Sequence, residues 1–349
     1  MLVARYYVCI CLCVVLIVGM HFIWDRLLFY SYDGDNVHVH TQDVFSAILN
    51  EYDVETNDRN YTTNPHDLQC NASNFLQARL HGIPVPNTSD LCTMPHVHYS
   101  ATEACDVLSS YSEILLFGDS LCRHVSVAIS SICRGDVQYG AMREWEVPGD
   151  LNCTGEMQYS EVACRLYTLT DSTVLQSVNQ SLCANHKVIV RLLEWWQVGD
   201  VARFLGNPSY SEKDYVYGLS EIHPRTAMLI FPPGLHMDMT HPEDIISQYV
   251  NPLVQAGHNV NGTVIVLVGI HAMAPNMPEQ YAYKQNKDII TAFNRHVQHY
   301  AVSNNIDYMD VYDMSIGHYS YDGVHYGLHV NVLKAQLLLN YLDLYRRGV

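Results

Sequence analysis

The sequence predicts an α/β fold, a three-layer α/β/α sandwich around a five-stranded, mostly parallel sheet of flavodoxin-like order. From residue 112 onward, short apolar runs rich in Val, Ile and Leu alternate with longer segments of helical periodicity. The runs are apolar throughout, which is typical of parallel strands buried on both faces. Helices that alternate with such strands cover the two faces of the sheet.

The elements can be assigned in chain order. The predicted strands are Glu113–Phe117, Lys187–Leu193, Ala227–Phe231, Thr263–Val268 and Asp307–Val311. The predicted helices are Leu121–Cys133, Pro242–Gln255, Lys287–Ser303 and Leu328–Tyr345. The stretch from Cys153 to Cys183 fits neither pattern, and we expect an insertion with β character there.

The N-terminal part predicts a membrane attachment. Residues 6–24 are nearly continuous apolar sequence, about the length that spans a bilayer. A cleaved signal peptide is the alternative, but bulky residues rather than a small-x-small pattern end the segment. We therefore expect a cytoplasmic tail over residues 1–5, a transmembrane signal anchor over 6–24, a stem over 25–66 and a lumenal domain over 67–349.

Glycosylation sequons and cysteines indicate an oxidising compartment. Six Asn-x-Ser/Thr sequons begin at Asn60, Asn71, Asn87, Asn152, Asn179 and Asn261. Eight cysteines follow the predicted anchor: Cys70, Cys92, Cys105, Cys122, Cys133, Cys153, Cys164 and Cys183. An even number of cysteines beside sequons suits the secretory pathway. The one local pairing we expect is Cys153 with Cys164. The predicted location is the Golgi or ER membrane, single-pass with a lumenal domain, with secretion as the alternative.

The charge excludes one class of partner. The chain of 349 residues carries 36 acidic and 19 basic residues, a net charge of −17. Nucleic-acid binding needs clustered Lys and Arg, and the sequence contains no basic run. We therefore expect no nucleic-acid partner.

A candidate nucleophile lies at the end of the first predicted strand. Gly118-Asp119-Ser120 ends the apolar run and opens a helix. This order puts Ser120 at the carboxyl end of a parallel strand, where open α/β sheets bind their ligands. The free N–H groups and positive dipole end of a helix also favour an oxyanion there. A surface turn is the alternative interpretation.

A candidate base and its orienting carboxylate lie near the C-terminus. Asp322 and His325 flank a Gly-containing turn just before the last helix, Leu328–Tyr345. This separation lets the carboxylate reach one imidazole nitrogen and leaves the other for Ser120, the arrangement of nucleophile, base and orienter. A helix-capping Asp beside a structural His is the alternative.

These motifs, in this order, resemble the SGNH/GDSL hydrolase superfamily. Arg123, three residues after the serine, makes the sequence more similar to the PC-esterase branch of that superfamily. This branch includes trichome-birefringence-like polysaccharide O-acetyltransferases, sialate O-acetyltransferases and neurexophilin-and-PC-esterase domain proteins. Ile230-Phe-Pro-Pro-Gly-Leu-His236 and Tyr321-Asp-Gly-Val-His-Tyr326 resemble later blocks. The resemblance covers about residues 105–345 and implies acetyl chemistry on glycans.

The resemblance also implies oxyanion donors beside the Ser120 N–H. Gly140 is our candidate for the second donor. The third donor of the superfamily is an asparagine in a Gly-x-Asn element, where this chain has Gly234-Leu-His236. His236 is thus a candidate donor, with a structural histidine as the alternative.

Two further residues are candidates for the pocket. Arg123 lies one helical turn after Ser120, so it can reach the pocket mouth or brace the turn; a surface salt bridge is the alternative. His271 follows the fourth strand at the carboxyl end of the sheet, where a pocket residue or a structural histidine fits.

Together these features predict serine-dependent acyl transfer to, or hydrolysis from, glycans in the secretory pathway. No metal and no cofactor are expected, and an acetyl donor such as acetyl-CoA or an acetylated glycan would enter as substrate. The alternatives are an esterase for lipids or small esters and a non-catalytic glycan-binding protein that kept the fold.

Overall fold

The computed structural model describes residues 97–143, 147–169, 182–194, 201, 222–318 and 320–348. All of them belong to one compact unit, Asp58–Val349. The predicted tail, anchor and stem lie outside the described residues, so those boundaries stay predictions. No helix within the described ranges has the length and hydrophobicity to cross a membrane.

Five parallel strands form one sheet in the order β2-β1-β3-β4-β5. The strands are β1 Ile114–Gly118, β2 Val190–Glu194, β3 Ala227–Ile230, β4 Val264–Val268 and β5 Asp307–Met309. This is the flavodoxin-like order, whose switch point lies at β1 and β3. The predicted fold class is confirmed.

Helices pack on both faces of the sheet. They are α1 Ala101–Ser109, α2 Ser120–Arg134, α3 Pro242–Ile245, α4 Asn251–His258, α5 Glu279–Ala282, α6 Lys287–Ser303 and α7 Leu328–Arg346. Alternate residues of β1 separate the two cores: Ile114 and Leu116 pack with α1, α2 and α7, whereas Leu115 and Phe117 pack with α3, α4 and α6. The three-layer arrangement follows from this burial of both faces.

The predicted helix Pro242–Gln255 forms with an interruption. A π-helical turn, Ile246–Val250, joins α3 to α4. Pro252 lies at the start of α4, and its ring nitrogen cannot donate the backbone hydrogen bond that a continuous α-helix needs. The loss of that donor gives a physical reason for the wider turn at this point.

The segment after α2 corrects one prediction and confirms another. The expected β character is wrong for its described part, which contains the 3-10 helices Gly155–Tyr159 and Arg165–Tyr167 and one isolated bridge, Met142 to Thr168. Within the described part, local turn hydrogen bonds such as Met157 N–H to the Thr154 carbonyl satisfy the backbone. The predicted Cys153–Cys164 disulfide is present, and a second disulfide joins Cys105 to Cys183.

Candidate active site

The candidate nucleophile lies in a tight turn between β1 and α2. Asp119 is the N-cap of α2, and its Oδ1 accepts a hydrogen bond of 3.0 Å from the Leu121 N–H. A Cβ at Gly118 would lie 2.6 Å from the Cβ of Cys122 in α2 and 2.7 Å from the Cβ of Phe231, just after β3, so this close packing requires glycine there. Ser120 is therefore held as the first residue of a buried helix at the carboxyl end of β1.

Ser120, His325 and Asp322 lie together, as predicted. The distance from Ser120 Oγ to His325 Nε2 is 2.7 Å, and His325 Nδ1 lies 2.6 Å from Asp322 Oδ2. A carboxylate only accepts, so Nδ1 carries the proton and Nε2 is free to accept the serine proton. The three side chains thus have the geometry of a nucleophile, a base and an orienting carboxylate.

The loop that carries His325 is held by its own backbone. Asp322 Oδ1 accepts hydrogen bonds from the N–H groups of Val324 and His325, at 2.9 and 2.7 Å. Burial raises the pKa of Asp322, but the hydrogen bond and charge of His325 outweigh it and leave that pKa well below its ordinary value. Asp322 is therefore ionised and fixed in the position that orients the imidazole.

A buried charge cluster lies directly behind the nucleophile, and the sequence prediction missed most of it. Arg123 is fully buried and donates to Glu161, with Glu194 at 3.4 Å. His124 Nε2 lies 2.8 Å from Glu161 Oε1. The alternative of a surface salt bridge for Arg123 is wrong, because the helix turns this residue inward against two carboxylates.

Glu161 also approaches the candidate base. Its Oε1 lies 3.9 Å from His325 Nε2. Burial raises the pKa of Glu161, but His124 and Arg123 outweigh it and lower the pKa to about 2. The signal for His124 was its spacing, four residues after Ser120 on one helix face. Glu161 gave no local signal, since it reaches the site only through the disulfide-closed segment.

His271 is fully buried and contacts the catalytic loop from the inside. Its Nε2 lies 2.7 Å from the Val324 carbonyl oxygen, and its Nδ1 lies 2.7 Å from Lys334 Nζ. Burial and the charge of Lys334 hold the pKa of His271 well below its ordinary value. The structural alternative that the sequence left open for His271 fits this position better than a residue lining an open pocket.

The predicted position of Gly140 beside Ser120 is wrong. The Gly140 N–H donates to the Asp136 carbonyl at 2.8 Å, and a Cβ there would lie 2.6 Å from the Cα of Ser131. Gly140 thus packs at the C-terminal end of α2, whereas Ser120 opens that helix. The turn after Arg134 folds back on its own helix, which sequence spacing does not reveal.

Of the two candidate oxyanion donors after β3, Gly234 and His236, the second lies near the nucleophile turn. The Gly234 N–H donates to the Pro232 carbonyl at 2.8 Å, so it is not free to bind an oxyanion. His236 is 42% exposed, and its Nε2 lies 3.9 Å from Asp119 Oδ2. His236 is therefore the polar side chain that this element presents beside the turn.

The fold and the site define a three-layer α/β protein with a Ser-His-Asp constellation at the carboxyl end of its sheet. No family model and no curated protein matches the sequence. Solved structures with some similarity include a putative acylhydrolase from Bacteroides fragilis, at 12% identity and a TM-score of 0.39, which covers 67% of this chain and 88% of that chain.

Two further solved structures, an acetylxylan esterase and a carbohydrate acetylesterase, have similar sequence identities and TM-scores. An acetylxylan esterase from Geobacillus stearothermophilus is 16% identical at a TM-score of 0.34, covering 66% of this chain and 94% of that chain. A carbohydrate acetylesterase from Sinorhizobium meliloti is 13% identical at a TM-score of 0.33, covering 65% and 96%. At these values we take no function from the neighbours.

Proposed function

We propose that this chain is a serine-dependent acyl hydrolase. The observation that carries the proposal is the 2.7 Å contact between Ser120 Oγ and His325 Nε2, with Asp322 on the other ring nitrogen. In the proposed reaction, Ser120 Oγ attacks an ester carbonyl while His325 takes its proton. The imidazolium then protonates the leaving alcohol, and water hydrolyses the acyl-enzyme by the reverse proton path.

The start of α2 supplies stabilisation for the tetrahedral intermediate. The first amides of a helix have no intrahelical acceptor, and the positive end of the helix dipole favours an anion. The Ser120 N–H is the first proposed oxyanion donor, and the His236 ring is the second, from its position beside Asp119. Donors of this kind supply the largest single catalytic effect in many acyl-transfer enzymes.

We further propose that the substrates are acetyl esters on glycans in the secretory pathway. The order of the motifs from Gly118 to His325 supports the substrate class through their resemblance to the PC-esterase branch. Six sequons and the disulfides Cys105–Cys183 and Cys153–Cys164 support an oxidising compartment. A sugar hydroxyl in place of water would turn the same cycle into acetyl transfer, with acetyl-CoA or an acetylated glycan as donor.

The test is a serine-directed phosphonate probe together with an acetyl-ester reporter. The purified full chain should become labelled at Ser120, as mapped by peptide mass spectrometry, and should hydrolyse the reporter. Ser120→Ala should abolish both signals while the thermal midpoint changes little. Hydrolysis of an acetylated oligosaccharide, followed by release of acetate, then tests the substrate class separately.

Ser130→Ala is the matched control, because Ser130 is a buried serine ten residues further along the same helix. It should keep both labelling and turnover. Full turnover in Ser120→Ala, or labelling of a different residue, would contradict the proposed role of Ser120. Labelling of Ser120 without release of acetate from any glycan would support the proposed hydrolase activity and contradict the proposed glycan substrate.

A further inference from the structure

A buried lysine lies behind the catalytic loop, in the last helix. Lys334 is in the second turn of α7, directly between Leu333 and Ala335, and it is 2% exposed. Burying an ammonium group is costly unless it has partners. An amine retained at such a position therefore calls for a specific contact.

That contact is a two-bond chain to the catalytic loop. Lys334 Nζ lies 2.7 Å from His271 Nδ1, and His271 Nε2 lies 2.7 Å from the carbonyl oxygen of Val324. The carbonyl can only accept, so His271 carries its proton on Nε2 and accepts at Nδ1 from the amine. The two hydrogen bonds then run in one direction, from Lys334 to His271 and from His271 to the Val324 carbonyl.

The position of Val324 connects these two hydrogen bonds to the catalytic base. Val324 lies directly before His325, and its own N–H donates to Asp322 Oδ1 at 2.9 Å. The same carboxylate oxygen accepts from the His325 N–H at 2.7 Å, so the peptide unit between Val324 and His325 is held by Asp322 at its N–H and by His271 at its carbonyl. A rotation of that unit would move the imidazole that meets Ser120.

The charge of Asp119, in the nucleophile turn, also acts on this amine. Burial lowers the pKa of Lys334 to about 7, while the charge of Asp119 acts in the opposite direction. Asp119 is itself buried, and its Oδ2 has no hydrogen-bond partner among the described residues. In its protonated form, Lys334 offsets part of the cost of burying that carboxylate.

We infer that Lys334 and His271 are positioning residues that fix the Asp322–His325 loop, and thereby His325, for proton transfer from Ser120. This inference rests on the proposed hydrolase function. Errors of about 1 Å in such geometry can lower rates by about a hundredfold. Other bonds hold the same loop, including Ala274 N–H to the Gly323 carbonyl at 2.9 Å, so the loop should stay folded without this chain.

Three variants separate positioning from general stability. His271→Leu removes both hydrogen bonds, and Lys334→Met removes the amine at similar length. His271→Gln keeps one donor and one acceptor at the same site. We expect kcat on the acetyl-ester reporter to fall about ten- to a hundredfold in the first two variants with KM within about twofold, and to recover to within about threefold of the parent in His271→Gln.

A second readout does not depend on turnover. The proton between His325 Nδ1 and Asp322 should give a far-downfield resonance in proton NMR of the parent chain, and this resonance should shift or broaden in His271→Leu but persist in His271→Gln. Parental kcat and an unchanged resonance in both His271→Leu and Lys334→Met would overturn the inference, as would a His271→Gln variant as slow as His271→Leu. If the parent neither hydrolyses esters nor labels at Ser120, the proposed function fails while the resonance still tests the positioning.

Discussion

The carboxylate of Glu161 lies beside the reactive nitrogen of His325, with 3.9 Å between Oε1 and Nε2. The same oxygen accepts from Arg123 and lies 2.8 Å from His124 Nε2. Two ionised carboxylates therefore flank one imidazole, Asp322 at Nδ1 and Glu161 near Nε2. When His325 takes the serine proton, the resulting imidazolium has a negative charge on each side.

Removing the charge of Glu161 should therefore slow the acylation step. Unit charges 4 Å apart interact by about 1 kcal/mol in water and about 4 kcal/mol near a protein surface, and Arg123 offsets part of this. We expect Glu161→Gln to lower kcat/KM roughly five- to tenfold, measured with the acetyl-ester reporter. Glu103→Gln, in the capping box of α1, is the control. An unchanged kcat/KM in Glu161→Gln would assign Glu161 to structure alone.

Asp322→Asn should leave the fold intact and nearly abolish catalysis. The amide oxygen can still accept from the N–H groups of Val324 and His325, so the loop keeps its shape. The amide nitrogen cannot accept the Nδ1 proton, and the imidazole then favours the wrong tautomer. We expect kcat to fall about a thousand- to ten-thousandfold with an unchanged circular dichroism spectrum. A loss smaller than tenfold would show that Asp322 does not orient the base.

The turn between Asp322 and His325 should accept only glycine at its centre. Gly323 has a φ of 86°, and a Cβ there would lie 2.2 Å from the Cα of Met277. Gly323→Ala therefore combines left-handed strain with a backbone clash. We expect a loss of about 2 kcal/mol or more in the free energy of unfolding, measured by urea denaturation.

Gly317→Ala is the matched control for that variant, because Gly317 has a φ of 81° with nothing within 4 Å of the added Cβ. It should cost about 1 kcal/mol, the backbone contribution alone. Equal losses in the two variants would mean that the contact with Met277 has no energetic role.

Lys334 should make the stability of the protein depend on pH above neutrality. Its pKa is about 7 in the folded chain against 10.5 for the free side chain, chiefly because of burial. Between these values the unfolded state binds the proton and the folded state does not, so stability rises as the pH rises from 7 to 10.5. Lys334→Met lacks this dependence. Its stability relative to the parent should fall by up to about 1.4 kcal/mol per pH unit over that interval.

Urea denaturation of the parent and of Lys334→Met at pH 7 and pH 9.5 measures this difference in the free energy of unfolding. Groups that titrate alike in both proteins cancel in the difference. Lys287→Met replaces an exposed lysine at the start of α6 and should show a constant difference from its parent. A constant difference for Lys334→Met as well would mean that the buried amine keeps its proton in both states.

Local sequence accounts for most of the sheet and for the three groups of the proposed triad. All five strands and the helices that begin near Ser120, Lys287 and Leu328 lie within a few residues of their predicted ends. Each came from a pattern contained in the segment itself, an apolar run or a helical period. The Cys153–Cys164 disulfide was predictable for the same reason, since a short loop keeps its two ends close.

Errors occurred where a residue depends on a distant partner. Gly140 was placed by analogy with a loop glycine, yet the chain turns back at Asp136 and packs it on the far end of α2. Glu161 and Lys334 have no local pattern that marks them. Their partners, His325 and His271, lie 164 and 63 positions away in the chain.

The sequence by itself determined the parallel α/β sheet, the serine at the end of its first strand and the short Asp322–His325 turn, because burial and turn geometry act over a few neighbouring residues. Only the tertiary structure decided that Glu161 approaches the reactive nitrogen and that Lys334 supports the catalytic loop through His271. A buried charge is stable only beside the partners that the folded chain brings to it, and those partners are set by packing across the whole domain.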